Sequence, residues 1–91
     1  MNRDPKKHRI KCIEPYFTKS VKQEKLFEVR FNDRDYQEGD TVMMDSWDEV
    51  KNTIRGPYIC ADITYVLTDF EGLKEGWCVF GIKIYNIGNH M

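Results

Sequence analysis

The chain has 91 residues, 41% of them hydrophobic and 32% charged, with 14 Lys and Arg against 15 Asp and Glu and a formal net charge of -1. That length supports one small core, and the composition is globular rather than disordered. The near-neutral charge excludes a general polyanion binder, so any nucleic-acid contact has to be a local patch or pocket. Three widely spaced cysteines and two histidines near the ends argue against a disulfide framework or a metal site, and no cofactor is expected. No run approaches the roughly 20 apolar residues of a membrane span and the first residues lack a signal-peptide core, so a cytoplasmic location without a membrane partner is expected.

Residues 1–7 are polar and basic and read as a flexible N-terminus. His8 to Ile13 has the period of a first strand with Ile10 and Cys12 on one face, and His8 at its start reads as a surface histidine. Glu14-Pro15 suits a helix start, Phe17 and Val21 would turn one face of a short helix inward, and the helix should end near Gln23-Glu24, where no Gly is available. From Leu26 to Phe31 the sequence alternates. Phe27, Val29 and Phe31 are expected on a buried face, with Glu28 and Arg30 together on the other. Lys25 falls out of this alternation and must precede the strand, where it can swing over a cleft.

Asn32-Asp33-Arg34-Asp35 and Glu38-Gly39-Asp40 are turn sequences, and Thr41 to Met44 is the next strand. Asp45 to Gly56-Pro57 reads as a loop in which Trp47 is either a plug over the barrel end or an exposed stacking platform. Tyr58 to Leu67 is a strand with Ile59, Ala61, Ile63, Tyr65 and Leu67 on one face. The last strand, Trp77 to Tyr85, puts Cys78, Phe80, Ile82 and Ile84 on one face, and residues 86–91 read as a polar tail. Cys12, Cys60 and Cys78 alternate with apolar neighbours and read as small core residues. About five to six short strands with one helix predict an α+β, mainly β domain over residues 8–85, a small β-barrel with the helix packed at the barrel.

Lys25-x-x-Glu28-x-Arg30, followed by Asn32-Asp33-Arg34 and Gly39-Asp40, resembles the ASCH superfamily, whose fold is similar to the PUA domain. His8 with Lys11, Tyr16-Phe17 and Phe27-Glu28 extend the likeness to a branch of small bacterial and phage domains of unknown function. The resemblance implies a PUA-like barrel whose cleft, beside the helix and the Lys25–Arg30 stretch, holds RNA, a nucleotide or a modified base. Lys25, Glu28 and Arg30 are the residues carried over. The chain departs from the pattern at Gln23, where relatives have Gly.

Arg30 offers a planar fork of donors, Lys25 a compact positive charge and Glu28 an acceptor for an exocyclic amine. Arg34 could contact phosphate and Tyr36 could stack on a base. The alternative for Glu28 and Arg30 is a mutual ion pair or pairing with Asp33 or Asp40; for Arg34 it is a solvated turn residue, and for Tyr36 a barrel-edge aromatic. The expected function is an RNA- or nucleotide-binding module. A second possibility is an amidohydrolase acting on an acylated nucleoside such as N4-acetylcytidine, with Lys25 and Glu28 catalytic, although Glu28 stands where such relatives carry a Thr. A third is a protein-interaction module anchored by Trp47, Trp77 and Tyr85.

Overall fold

A computed structural model describes residues 3–91 of the chain. The elements are β1 (Lys7–Cys12), α1 (Tyr16–Val21), β2 (Phe27–Phe31), β3 (Thr41–Asp48), β4 (Thr53–Leu67) and β5 (Trp77–Asn89). All five strands join one sheet in the order β1-β3-β4-β5-β2, parallel between β1 and β3 and antiparallel elsewhere. The architecture is mainly β with one short helix, as expected. The sheet curls into a half-barrel, and its two outer strands, β1 and β2, border a common cleft.

Alternation explains the interior. Ile10 and Cys12 of β1, Val42 and Met44 of β3, Ile59, Ala61 and Ile63 of β4, and Cys78, Phe80 and Ile82 of β5 point inward, and Phe17 of α1 joins them. Cys12 and Cys78 are buried there and Cys60 is half-buried. The expected run of β4 fails after Ile63, because a bulge against β5 shifts the register. Tyr65 becomes exposed and Val66 takes its place against the core.

Three stretches differ from their sequence reading. Residues 45–57 are a β-hairpin, not a loop: β3 runs to Asp48, whose carboxylate accepts the N–H groups of Val50 (3.0 Å) and Lys51 (3.1 Å) in the turn. Gly56-Pro57 does not break the chain, since Gly56 accepts from the His90 N–H at 2.9 Å and Pro57 pairs with Asn89. Residues 86–89 are therefore strand rather than tail. The N-terminal reading falls partly on residues 1 and 2, which lie outside the described residues. From Arg3 onward the segment is tied down by side-chain and main-chain bonds to Asp40 and by the Thr41 N–H donated to the Lys6 carbonyl at 3.0 Å.

The helix opens with Glu14, whose carboxylate accepts the Thr18 N–H (2.8 Å) and hydroxyl (2.6 Å). It closes at Gln23, which takes a left-handed φ of 60° as its N–H donates to the Ser20 carbonyl at 2.9 Å. A side chain there is strained. Gln23→Gly is expected to raise the unfolding free energy by about 0.5–1 kcal/mol in chemical denaturation; a loss of stability would mean the Gln23 side chain contributes more than its backbone costs.

The largest departure concerns β2. The alternation is present but its sides are exchanged: Glu28 is 3% exposed and faces the interior, while Phe27, Val29 and Phe31 are 44%, 49% and 52% exposed. The reason is the company Glu28 keeps. Lys25 and Arg30 neutralise it inside the curl, and an ion cluster with its hydrogen bonds made can occupy a position that hydrophobicity alone assigns to Phe or Val.

Candidate ligand-binding cleft

Main-chain geometry opens the cleft. In β2 the even-numbered residues bond β5, as the Leu26 carbonyl accepting from Ile82 (3.1 Å) and the Asn32 N–H donating to Gly76 (2.8 Å) show, so the main-chain groups of Phe27, Val29 and Phe31 point away from β5. Across the gap the Lys11 carbonyl of β1 is free of β3 and accepts instead from the Arg30 guanidinium at 2.6 Å. One arginine side chain thus bridges two strands that share no ladder. The cleft around this bridge has a volume of about 1110 Å³.

The charged cluster lies at its base. Glu28 Oε1 accepts from Arg30 Nη2 (2.8 Å) and Nε (3.1 Å), and its other oxygen accepts from the Lys25 ammonium, which also donates to the Phe27 carbonyl at 2.7 Å. Lys25 precedes β2, as its place outside the alternation requires, and stands 5.8 Å from the Tyr16 ring centre and 5.1 Å from that of Phe27. Both Glu28 oxygens are occupied, so the carboxylate orients two cations and has little capacity left for a ligand amine. The cluster also surrounds Cys12, which lines the cleft. Burial, with the Glu28 charge adding to it, pushes that thiol up to about 11, so it is protonated and a poor nucleophile at neutral pH.

Of the remaining expected site residues, Arg34 is exposed at the cleft and makes no hydrogen bond or ion pair among the described residues. Tyr36 also lines the cleft but is buried, its ring packed between those of His8 and Phe80 at 4.8 Å each. It belongs to the floor and has no open face for a base. Asp33 is exposed beside Arg34, and Asp40 pairs with Arg3 and His8 rather than with Arg30.

Asp40 is at the centre of a second cluster that the sequence did not announce. It accepts from Arg3 Nη1 (3.0 Å) and Nη2 (2.8 Å), from the Lys6 (3.0 Å) and Gln37 (3.1 Å) N–H groups, and pairs with His8 Nε2 at 2.8 Å. His8 is consequently buried, contrary to its reading as a surface residue. Burial alone would push the Asp40 carboxyl up; the bonds from Arg3, Lys6, His8 and Gln37 outweigh it and hold the group well below the usual carboxylate range.

The β1–β3 bank of the cleft carries residues absent from the expected site. Arg9 donates to Asp45 at 2.6 Å, His90 pairs with the same carboxylate at 3.1 Å, and the Lys11 ammonium sits 4.1 Å from the centre of the Trp47 ring. Trp47 is half-buried in β3 and lines the cleft, so it is not in a loop. On the facing bank Phe31 meets Trp77 edge to face at 6.0 Å. Five cations, Arg9, Lys11, Lys25, Arg30 and Arg34, line the cleft against three carboxylates, Glu28, Asp33 and Asp45.

The fold and site define a small half-barrel with an aromatic, net-cationic cleft at the gap between its outer strands. The chain belongs to the family described as a domain of unknown function (DUF3850), which matches residues 7–82 and so takes in β1 to β4 and the first part of β5. No curated protein matches the chain. No helix among the described residues is long and apolar enough to cross a membrane.

Proposed function

We propose that the cleft binds RNA or a nucleotide, with Arg30, Lys25 and Arg34 meeting the anionic part of the ligand. The carrying observation is the segregation of charge: the chain as a whole has net charge -1, whereas the cleft collects five cations against three carboxylates. A basic pocket on a near-neutral surface attracts a phosphate locally without general polyanion affinity. Aromatic rings at its walls supply the flat apolar surface a base requires. The likeness of Lys25-x-x-Glu28-x-Arg30 to the ASCH superfamily, with a PUA-like barrel, supports the same reading.

Glu28 acts in this reading as the residue that positions Lys25 and Arg30. Hydrolysis of an acylated nucleoside is less well supported: the Lys25 ammonium is already donating to two acceptors, and Glu28 is engaged on both oxygens. The test is a titration with labelled single-stranded RNA, tRNA and nucleotides. Arg34→Ala, which removes a side chain without protein partners among the described residues, is expected to weaken binding about three- to tenfold while leaving the melting temperature unchanged. Arg30→Ala should weaken it further. Binding to the folded variants as tight as that of wild type would show that the site is elsewhere.

A further inference from the structure

We infer that Trp47 is the stacking platform of the cleft and Lys11 its phosphate contact, so that the preferred ligand unit is a base joined to a phosphate rather than a free nucleoside. This rests on the nucleotide-binding reading above and goes further by naming the recognition unit and two residues outside the Lys25–Glu28–Arg30 cluster. Lys11 lacks the ion pair its position in the sheet offers. In the parallel register of β1 and β3, Lys11 lies opposite Asp45, the carboxylate an exposed lysine would ordinarily take. Arg9 and His90 hold that carboxylate instead, Arg9 at 2.6 Å on Oδ2 and His90 at 3.1 Å on Oδ1. Lys11 is left over, and its ammonium rests on the Trp47 ring at 4.1 Å.

That arrangement is exchangeable by its nature. An ammonium resting on a half-buried indole is weakly held, whereas a nucleobase covers more of the ring face and stacks more strongly. A base arriving on Trp47 displaces the ammonium, and the displaced ammonium is then free, on the same bank, to meet the phosphate the base carries. The platform does not have to form on binding. Trp47 is fixed in β3 by its pairing with Ile54, and the Lys11 main chain is fixed by the Arg30 guanidinium on its carbonyl at 2.6 Å. Only the flexible stem of Lys11 moves. A nucleoside would gain the stacking but leave the released ammonium without an anion, and inorganic phosphate would gain the anion contact without the stacking.

The experiment follows Trp47 fluorescence in a Trp77→Phe background, with affinities measured in parallel by calorimetry on the full chain. The probes are cytidine and adenosine, their 5′-monophosphates, and inorganic phosphate. The monophosphates are expected to quench Trp47 and to bind about tenfold or more tightly than the nucleosides. Lys11→Ala should narrow that difference severalfold, with Arg30, Lys25 and Arg34 keeping the remainder, and leave nucleoside affinity intact. Trp47→Leu should weaken both classes about tenfold without abolishing the response to phosphate. Monophosphate binding that neither substitution changes in the folded protein overturns this inference and leaves the nucleotide-binding reading standing. Absence of binding by monophosphates and by RNA to the wild-type chain overturns both.

Discussion

Replacing Asp40 by Ala is expected to cost about 3–5 kcal/mol of folding stability at pH 7. Asp40 is 1% exposed and satisfies the Arg3 guanidinium, the His8 ring and the N–H groups of Lys6 and Gln37 at once. Its removal leaves those donors without the acceptor that holds them together, and the buried His8 ring loses its polar partner. It also releases the N-terminal segment from the start of β1 and β3. The same carboxylate fixes a pH dependence. Its folded pKa lies below the value of 3.8 for an unperturbed carboxyl, because hydrogen bonds from Arg3, Lys6, His8 and Gln37 override burial. The unfolded chain therefore takes up the proton first, and the stabilisation is complete above about pH 4 and is lost as pH falls from there through the folded pKa. The stability difference between wild type and Asp40→Ala should shrink by about 1.4 kcal/mol for each pH unit below the unfolded carboxyl pKa. Denaturant titrations at pH 7 and at pH 2.5 check both parts. A difference at pH 7 of under about 1 kcal/mol, or one that does not narrow in acid, would refute the assignment.

Glu28→Gln is expected to have opposite effects on stability and on binding. The substitution leaves Lys25 and Arg30 facing each other across a neutral amide. Both cations retain some exposure, 16% and 26% of their side chains, so the cost should fall near the low end for a broken buried pair, roughly 2–3 kcal/mol. Meanwhile the cleft gains one unit of positive charge and both cations lose the carboxylate that competes for them. RNA affinity of the folded variant should rise at low salt, and the gain should fade as ionic strength increases. Weaker RNA binding by folded Glu28→Gln would show that the carboxylate itself touches the ligand, and the positioning role given to it here would be wrong.

Much of the fold was legible because alternation is a local property. The inward residues of β1 and β5 and the first half of β4 fall where a period of two puts them. Which side of β2 faces inward was not legible, since alternation defines two faces without saying which is inner. The usual assignment of Phe27, Val29 and Phe31 to the interior fails because Lys25 and Arg30 make an interior position tolerable for Glu28. Gly56-Pro57 looked like a break because its partner strand, residues 86–89, looked like a tail, and each acquires its structure from the other.

The candidate site was visible in part. Lys25, Glu28 and Arg30 converge because they are near neighbours in sequence, on either side of a strand start. Lys11 and Trp47 are brought together only by the parallel pairing of β1 with β3, and the burial of His8 depends on an aspartate 32 positions away. Nothing in the spacing of these residues records such contacts. A paired reading of β1 against β3 would have exposed them.

The sheet order also governs how the chain is made. β2 emerges early in synthesis, yet its ladder partner is β5, so Phe27 cannot meet Gly81, nor Phe31 meet Trp77, until the ribosome has passed residue 81. For that interval the nascent chain carries a five-residue strand with three large apolar side chains and both edges open, the kind of segment that is exposed to wrong pairing before its mate is made. Slow, late docking of a strand synthesised long before its mate is thus built into the order of the five strands.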